Sequence, residues 1–103
     1  MKTIQNTTVH DIAGKTIPVK DNDGNNKEGN VADIFQLLII NLRPDALTMG
    51  DVVSANRIWK VMDKAGEVIE IEDADFTWLK KITDSVAPKI FGINAIILSE
   101  ALE

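Results

Sequence analysis

The chain has no cysteine. That excludes disulfides, thiolate nucleophiles, Cys-x-x-Cys redox pairs and thiolate metal sites together, and it fits a reducing compartment. Histidine occurs once, as His10. A histidine-based metal site needs several ligands and a Ser-His-Asp triad needs a histidine held near a serine, so His10 beside Asp11 is assigned no catalytic or metal role. Basic clusters are missing: Lys80–Lys81 is the one adjacent pair. Phosphate backbones are bound by clustered Lys and Arg, so nucleic acid is not an expected partner. Long apolar runs are missing too. The longest, Leu37-Leu38-Ile39-Ile40, falls far short of the roughly 20 residues that cross a bilayer. The first residues lack the apolar core of a secretion signal. A soluble cytoplasmic protein with no membrane partner is the expectation.

The sequence holds 103 residues, 45% hydrophobic and 26% charged. These values exclude collagen-like, coiled-coil-only and wholly disordered chains. A single domain, 1–103, is expected, and a chain of this size buries roughly 65% of its unfolded surface without staples. The net charge is −5. Residues 1–51 carry five basic and seven acidic side chains and residues 52–103 carry six and nine, so the excess is spread and forms no acidic tail.

Residues 1–30 read as an extended arm or hairpin followed by a polar loop. Thr3, Ile4, Thr7, Thr8 and Val9 favour strands, as do Thr16, Ile17 and Val19, with turn chemistry at Asp11–Gly14 between them. Asp21–Asn30 is polar throughout and is expected outside the core. Residues 31–103 read as a helical core. Asn30, with Asp33 three residues on, caps a first helix. Its residues Ile34, Phe35, Leu37, Leu38, Ile39, Ile40 and Leu42 are apolar on nearly every side. Such a helix is either the central core helix or buries its spare face on another subunit. Arg43–Pro44 should end it. Thr48 with Asp51 resembles a capping box and opens a second helix, whose stripe of Val52, Ala55, Ile58, Trp59, Met62 and Ala65 places Trp59 in the core. Glu67–Ile71 alternates as a short strand that can pair with the N-terminal segment. Asp73 or Asp75 then caps a third helix, and Pro88 starts a fourth. The fold class is mainly α within α+β: about four helices in a bundle, a small N-terminal β-hairpin or arm, and one strand near 67–71.

Motifs with chemistry fail on their spacing. Gly14-Lys15-Thr16 matches the end of a phosphate loop, but Val9 stands where that pattern needs glycine, and Ile17-Pro18-Val19 follows instead of a helix. Asp21-Asn22-Asp23-Gly24-Asn25 resembles part of a calcium loop, yet Asn26 and Ala32 replace the required glycine and glutamate. That leaves at most weak calcium binding. Glu67, Glu70, Glu72, Asp73 and Asp75 put five carboxylates in nine residues. They serve as helix-end charges, or as an acidic face for a basic partner. Trp78 lies off the Phe76–Leu79–Ile82 stripe; it is either an interface anchor or a contact under the β element. No catalytic, cofactor-binding or metal-binding residue is assigned. The interface candidates are Trp78, Phe35, Leu38, Glu70, Glu72, Asp73 and Asp75.

From Leu47 onward the order of features resembles a group of small, mostly unassigned proteins encoded by tailed phages and prophages. Leu47-Thr48-Met49-Gly50-Asp51-Val52 leads into a basic amphipathic helix. A Val68-x-Ile-x-Ile71 strand, acidic Glu72-Asp73, Leu79-Lys80-Lys81-Ile82, and then Pro88, Gly92, Ala95 and Leu98 follow. Gly14–Asp21 with Asp23-Gly24 fits a recurrent opening of that group. Excess apolar surface on the first and last expected helices, the off-stripe Trp78 and the lack of a reactive constellation lead to the expectation of a non-enzymatic protein–protein interaction module, homo-oligomeric and without a cofactor. The resemblance implies a use in virion assembly or structure, in host cytoplasm or in the virion. The alternative is a phage-encoded acidic inhibitor of a host defence or regulatory protein.

Overall fold

Two small antiparallel sheets surround three full helices among the described residues. The computed structural model describes residues 1–43, 45 and 47–103. In chain order the elements are β1 (Lys2–Gln5), β2 (Pro18–Lys20), β3 (Asn26–Glu28), α1 (Val31–Ile40), α2 (Met49–Asp63), β4 (Val68–Ile71), α3 (Asp73–Phe91) and the short α4 (Ile96–Ala101). A 3-10 turn, Gly92–Ala95, separates the last two.

Helix α1 takes the central place. It packs against α2, α3 and α4, and its Phe35 and Leu38 are completely buried. Its start is fixed by a reciprocal cap: the Asp33 N–H donates to Asn30 Oδ1 and the Asn30 N–H donates to Asp33 Oδ2, each at 3.0 Å. Thr48 and Asp51 repeat the device on α2, at 3.2 and 3.0 Å. Ile58 and Met62 of α2, Leu79, Ile82 and Ala87 of α3, and Leu98 and Leu102 close the core around α1. Helix α1 ends at Ile40; the stop expected at Pro44 lies outside the described residues.

The N-terminal segment pairs differently from a local hairpin. β1 joins β4, with Ile4 opposite Ile69 and Lys2 opposite Ile71. Burial explains the choice. Ile4, Ile69 and Ile71 are each at most 2% exposed, so alternation on both strands turns one apolar row inward. Thr16–Val19 offers no comparable row. The hairpin that does form near the N-terminus lies later, β2 with β3, across the stretch expected to be a loose polar loop. Strand pairing there uses backbone groups, so polar side chains are no obstacle.

That hairpin is tied down at Gly29, which is buried. Its N–H donates to the Ile17 carbonyl at 2.7 Å and its carbonyl accepts from the Val9 N–H at 3.0 Å. Three chain segments meet at this residue. A Cβ there would sit 2.8 Å from the Ile17 oxygen and 3.1 Å from Val19 Cγ1, so the backbone itself would have to yield.

The third and fourth expected helices are one. Helix α3 runs through Pro88 to Phe91. Proline deletes one internal hydrogen bond, but Pro88 is on the exposed side, where water can meet the freed carbonyl, and the neighbouring Ala87 is fully buried. Packing on both sides of the proline holds the helix together. The break falls at Gly92, whose φ of 60° and ψ of −137° belong to glycine. Capping also differs from expectation: the N-cap is Glu72, with no side-chain hydrogen bond. Within the stretch Asp73–Ala101 an 18-residue window reaches a mean hydropathy of 1.2, enough by length and composition to cross a bilayer, although Leu79, Ile82 and Leu98 of that stretch belong to the core.

Two stability measurements check this packing. Gly29→Ala should cost about 1–3 kcal/mol through the forced backbone shift; an unchanged urea midpoint would refute the three-segment junction. Thr83 is 3% exposed and its hydroxyl has no hydrogen-bond partner among the described residues. Thr83→Val should therefore stabilise the fold by about 1 kcal/mol, read as a raised midpoint in the same assay; a lowered one contradicts the unpaired hydroxyl.

Candidate functional site

Helix α1 is apolar on nearly every side, with Asp33 and Gln36 as its two polar residues, and the rest of the chain does not cover all of it. Leu37 and Ile40 remain 36% and 68% exposed. They lie on the wall of a groove of about 500 Å³ that Val19 and Pro18 of the β2–β3 hairpin and Trp59 of α2 also line. Trp59 is half-buried here, short of the core position that its stripe implies. Its carbonyl accepts a long bond from Gln36 Nε2 (3.4 Å), which bridges α1 and α2 beneath the groove. Lys20 stands on the hairpin side and Asp33 and Asp63 on the helix side. Asp33 is already paired with Lys27 at 3.2 Å; Lys20 and Asp63 form no ion pair among the described residues.

The interface candidates named from sequence are dispersed. Phe35 and Leu38 are core residues, 0% exposed; helical geometry turns them inward and leaves Leu37 and Ile40 outside. Trp78 is half-buried and packs on the core, and its indole N–H donates to Asp51 Oδ1 at 2.8 Å. It therefore fastens α3 to the first turn of α2. Asp75 is 3% exposed and takes both arms of Arg57, with Nε at 2.8 Å from Oδ2. The pairing is bidentate, the strongest geometry for such a contact, and Asp75 raises the Arg57 guanidinium above its ordinary value chiefly through that hydrogen bond. Asp73 meets the Met1 amino group at 3.1 Å. Glu70 and Glu72 stay exposed. Strand alternation, a helix start and one half-buried ion pair thus pull the acidic run apart. No three His, Asp or Glu side chains converge among the described residues.

The remaining motifs are turns. Asp11 Oδ1 accepts from the N–H groups of Ala13 and Lys15, and Asp21 Oδ1 accepts from those of Asp23 and Asn25. Gly14 and Gly24 follow at the same offset with φ of 84° and 81°. The two loops are the same Asp-x-x-Gly-x device, ten residues apart, and each carboxylate is spent on its own backbone. His10 bridges Thr16 at the base of the first. The groove residues Leu37 and Ile40 were not singled out from sequence, although Asp33 and Gln36, the two polar residues of α1, share their face at the i, i+3, i+4, i+7 spacing.

No protein family, curated protein or solved structure matches the chain.

The Thr48 N–H and then the Trp78 indole hold the Asp51 carboxyl below its usual range. A carboxyl held low adds stability above its unfolded value, about 3.9, and that contribution is lost as pH falls through the lower folded value. Asp51→Asn should therefore destabilise the protein at neutral pH, and the difference from wild type should shrink below about pH 4. Urea titrations across that range measure it; a pH-independent difference would remove the ionised Asp51 from the account.

Proposed function

We propose that the protein is a non-enzymatic protein–protein interaction module that self-associates through the Leu37–Ile40 groove. The observation that carries the reading is the uncovered face of the central helix, apolar and placed beside a half-buried tryptophan. A large aromatic next to aliphatic side chains is the usual anchor of an interface. The occupant is a second copy of the chain. Across a two-fold axis the same patch meets itself, and Lys20 on one rim with Asp63 on the other makes this patch complementary to its own image. The order of features shared with small tailed-phage and prophage proteins supports a role in virion assembly or structure, in host cytoplasm or in the particle.

Sedimentation velocity at micromolar concentration tests the reading. Wild type should run as an oligomer, and Leu37→Asp with Ile40→Asp should run as a folded monomer. Lys20→Glu should weaken association about threefold to tenfold at low salt, and adding Asp63→Lys should restore it. A wild-type monomer, or an oligomer indifferent to Leu37 and Ile40, overturns the proposal.

A further inference from the structure

The β1–β4 sheet has two strands, so each strand has one edge that its partner does not use. The pairing phase identifies the groups on the outer edge of β1. The Asn6 N–H donates to the Glu67 carbonyl at 3.0 Å, which continues the register of Ile4 with Ile69 and Lys2 with Ile71. In an antiparallel ladder such pairs alternate. Lys2, Ile4 and Asn6 therefore face β4, and the N–H and C=O groups of Thr3 and Gln5 face outward. The next outward residue, Thr7, has its carbonyl filled by the Val31 N–H at 3.0 Å. Among the described residues, Thr3 and Gln5 make no main-chain bond on that side, and both are exposed.

This open edge forms one wall of a groove of about 440 Å³. Ile4 and Val9 contribute apolar surface, and Ile97, Ala101, Glu100 and Glu103 make the opposite wall. Two carboxylates line the groove and no Lys or Arg does. Lys2, on the same strand, has its ammonium over the Phe76 ring, 5.7 Å from the centroid.

We infer that this groove accepts an extended, basic segment of a partner protein as a third strand on β1. Main-chain bonds to Thr3 and Gln5 give affinity and fix register. A strand projects alternate side chains to one side, so Lys or Arg at every second position turns toward Glu100 and Glu103 with its methylene stem along Ile97, while the residues between face the opposite side of the sheet. The site shares no lining residue with the Leu37–Ile40 groove, so a partner here and a second copy there can bind together.

The test uses the full chain and the end-blocked peptide Lys-Val-Lys-Val-Lys-Val, followed by NMR titration and amide exchange. Binding should shift and protect the Thr3 and Gln5 amides. Gln5→Pro removes an outward donor without touching the β4 ladder; it should keep the fold, checked by circular dichroism, and weaken binding about tenfold. Glu100→Lys with Glu103→Lys should weaken it about tenfold at low salt and less at high salt. The same peptide N-methylated on alternate amides, or with Glu in place of Lys, should not bind wild type. Three results overturn the inference: no binding of the basic peptide, binding indifferent to N-methylation, or protection of Thr3 and Gln5 that grows with protein concentration in the absence of peptide. The last would place a second copy in the edge.

Discussion

The enclosure of α1 is the constraint on which the structure depends. Ten residues from Val31 to Ile40 carry apolar side chains on nearly all sides, and a chain of 103 residues has few elements with which to surround them. Helix α2 covers one side, α3 and the end of α4 cover others, and the β1–β4 sheet closes the base with Ile4, Ile69 and Ile71. The hairpin is held against the start of α1 by Gly29 and by the Val31 N–H on Thr7. What stays uncovered is narrow, Leu37 and Ile40. The position of the candidate interface is thus a remainder: it is where the supply of covering segments runs out.

The contact between α2 and α3 is of another kind. Its two best-defined links are polar, Asp51 to Trp78 and Arg57 to Asp75. Apolar packing is tolerant of rotation and slip, whereas a two-armed ion pair and a directed indole bond are not. Asp51 also caps its own helix through Thr48, so one carboxylate sets where α2 starts and where α3 lies against it. This explains why Trp78 sits off its apolar stripe. Its ring covers the core edge while its nitrogen reaches the neighbouring helix.

Much of this was legible in the residues. Both capping boxes, at Asn30–Asp33 and Thr48–Asp51, follow from short-range side-chain geometry, and so does the period-two strand at Val68–Ile71. The central role of α1 follows from its composition. The misreadings share a cause: local signals were allowed to decide questions settled by distant contacts. Pro88 reads as a helix start until the burial of Ala87 beside it is known. Asn22–Glu28 is exposed as its polar composition implies, but Gly29 reads as part of that loop until the preceding chain brings Ile17 and Val9 to it. Asp75 reads as one charge among five until Arg57, eighteen positions earlier, reaches it. The repeated Asp-x-x-Gly-x turn was present in the sequence at Asp11 and Asp21 and is visible there once the two loops are aligned on their glycines. The choice between Leu37–Ile40 and Phe35–Leu38 as the outward face was legible but missed: Asp33 and Gln36, the two polar residues of α1, fall at helical spacing on the Leu37–Ile40 face.

The elbow at Gly92 also sets the size of the molecule. The stretch Asp73–Ala101 has 29 residues, and as an unbroken rod it would be about 44 Å long at about 1.5 Å per residue. The whole protein measures 35 Å along its longest axis. A straight rod would overshoot its neighbours and leave Leu98 and Leu102 beyond anything they could touch. By turning the chain at one residue without a Cβ, the fold brings Leu98 and Leu102 indoors and leaves Ile93 and Ile96 at the elbow facing out, so one missing methyl group decides which part of the greasy ending is enclosed.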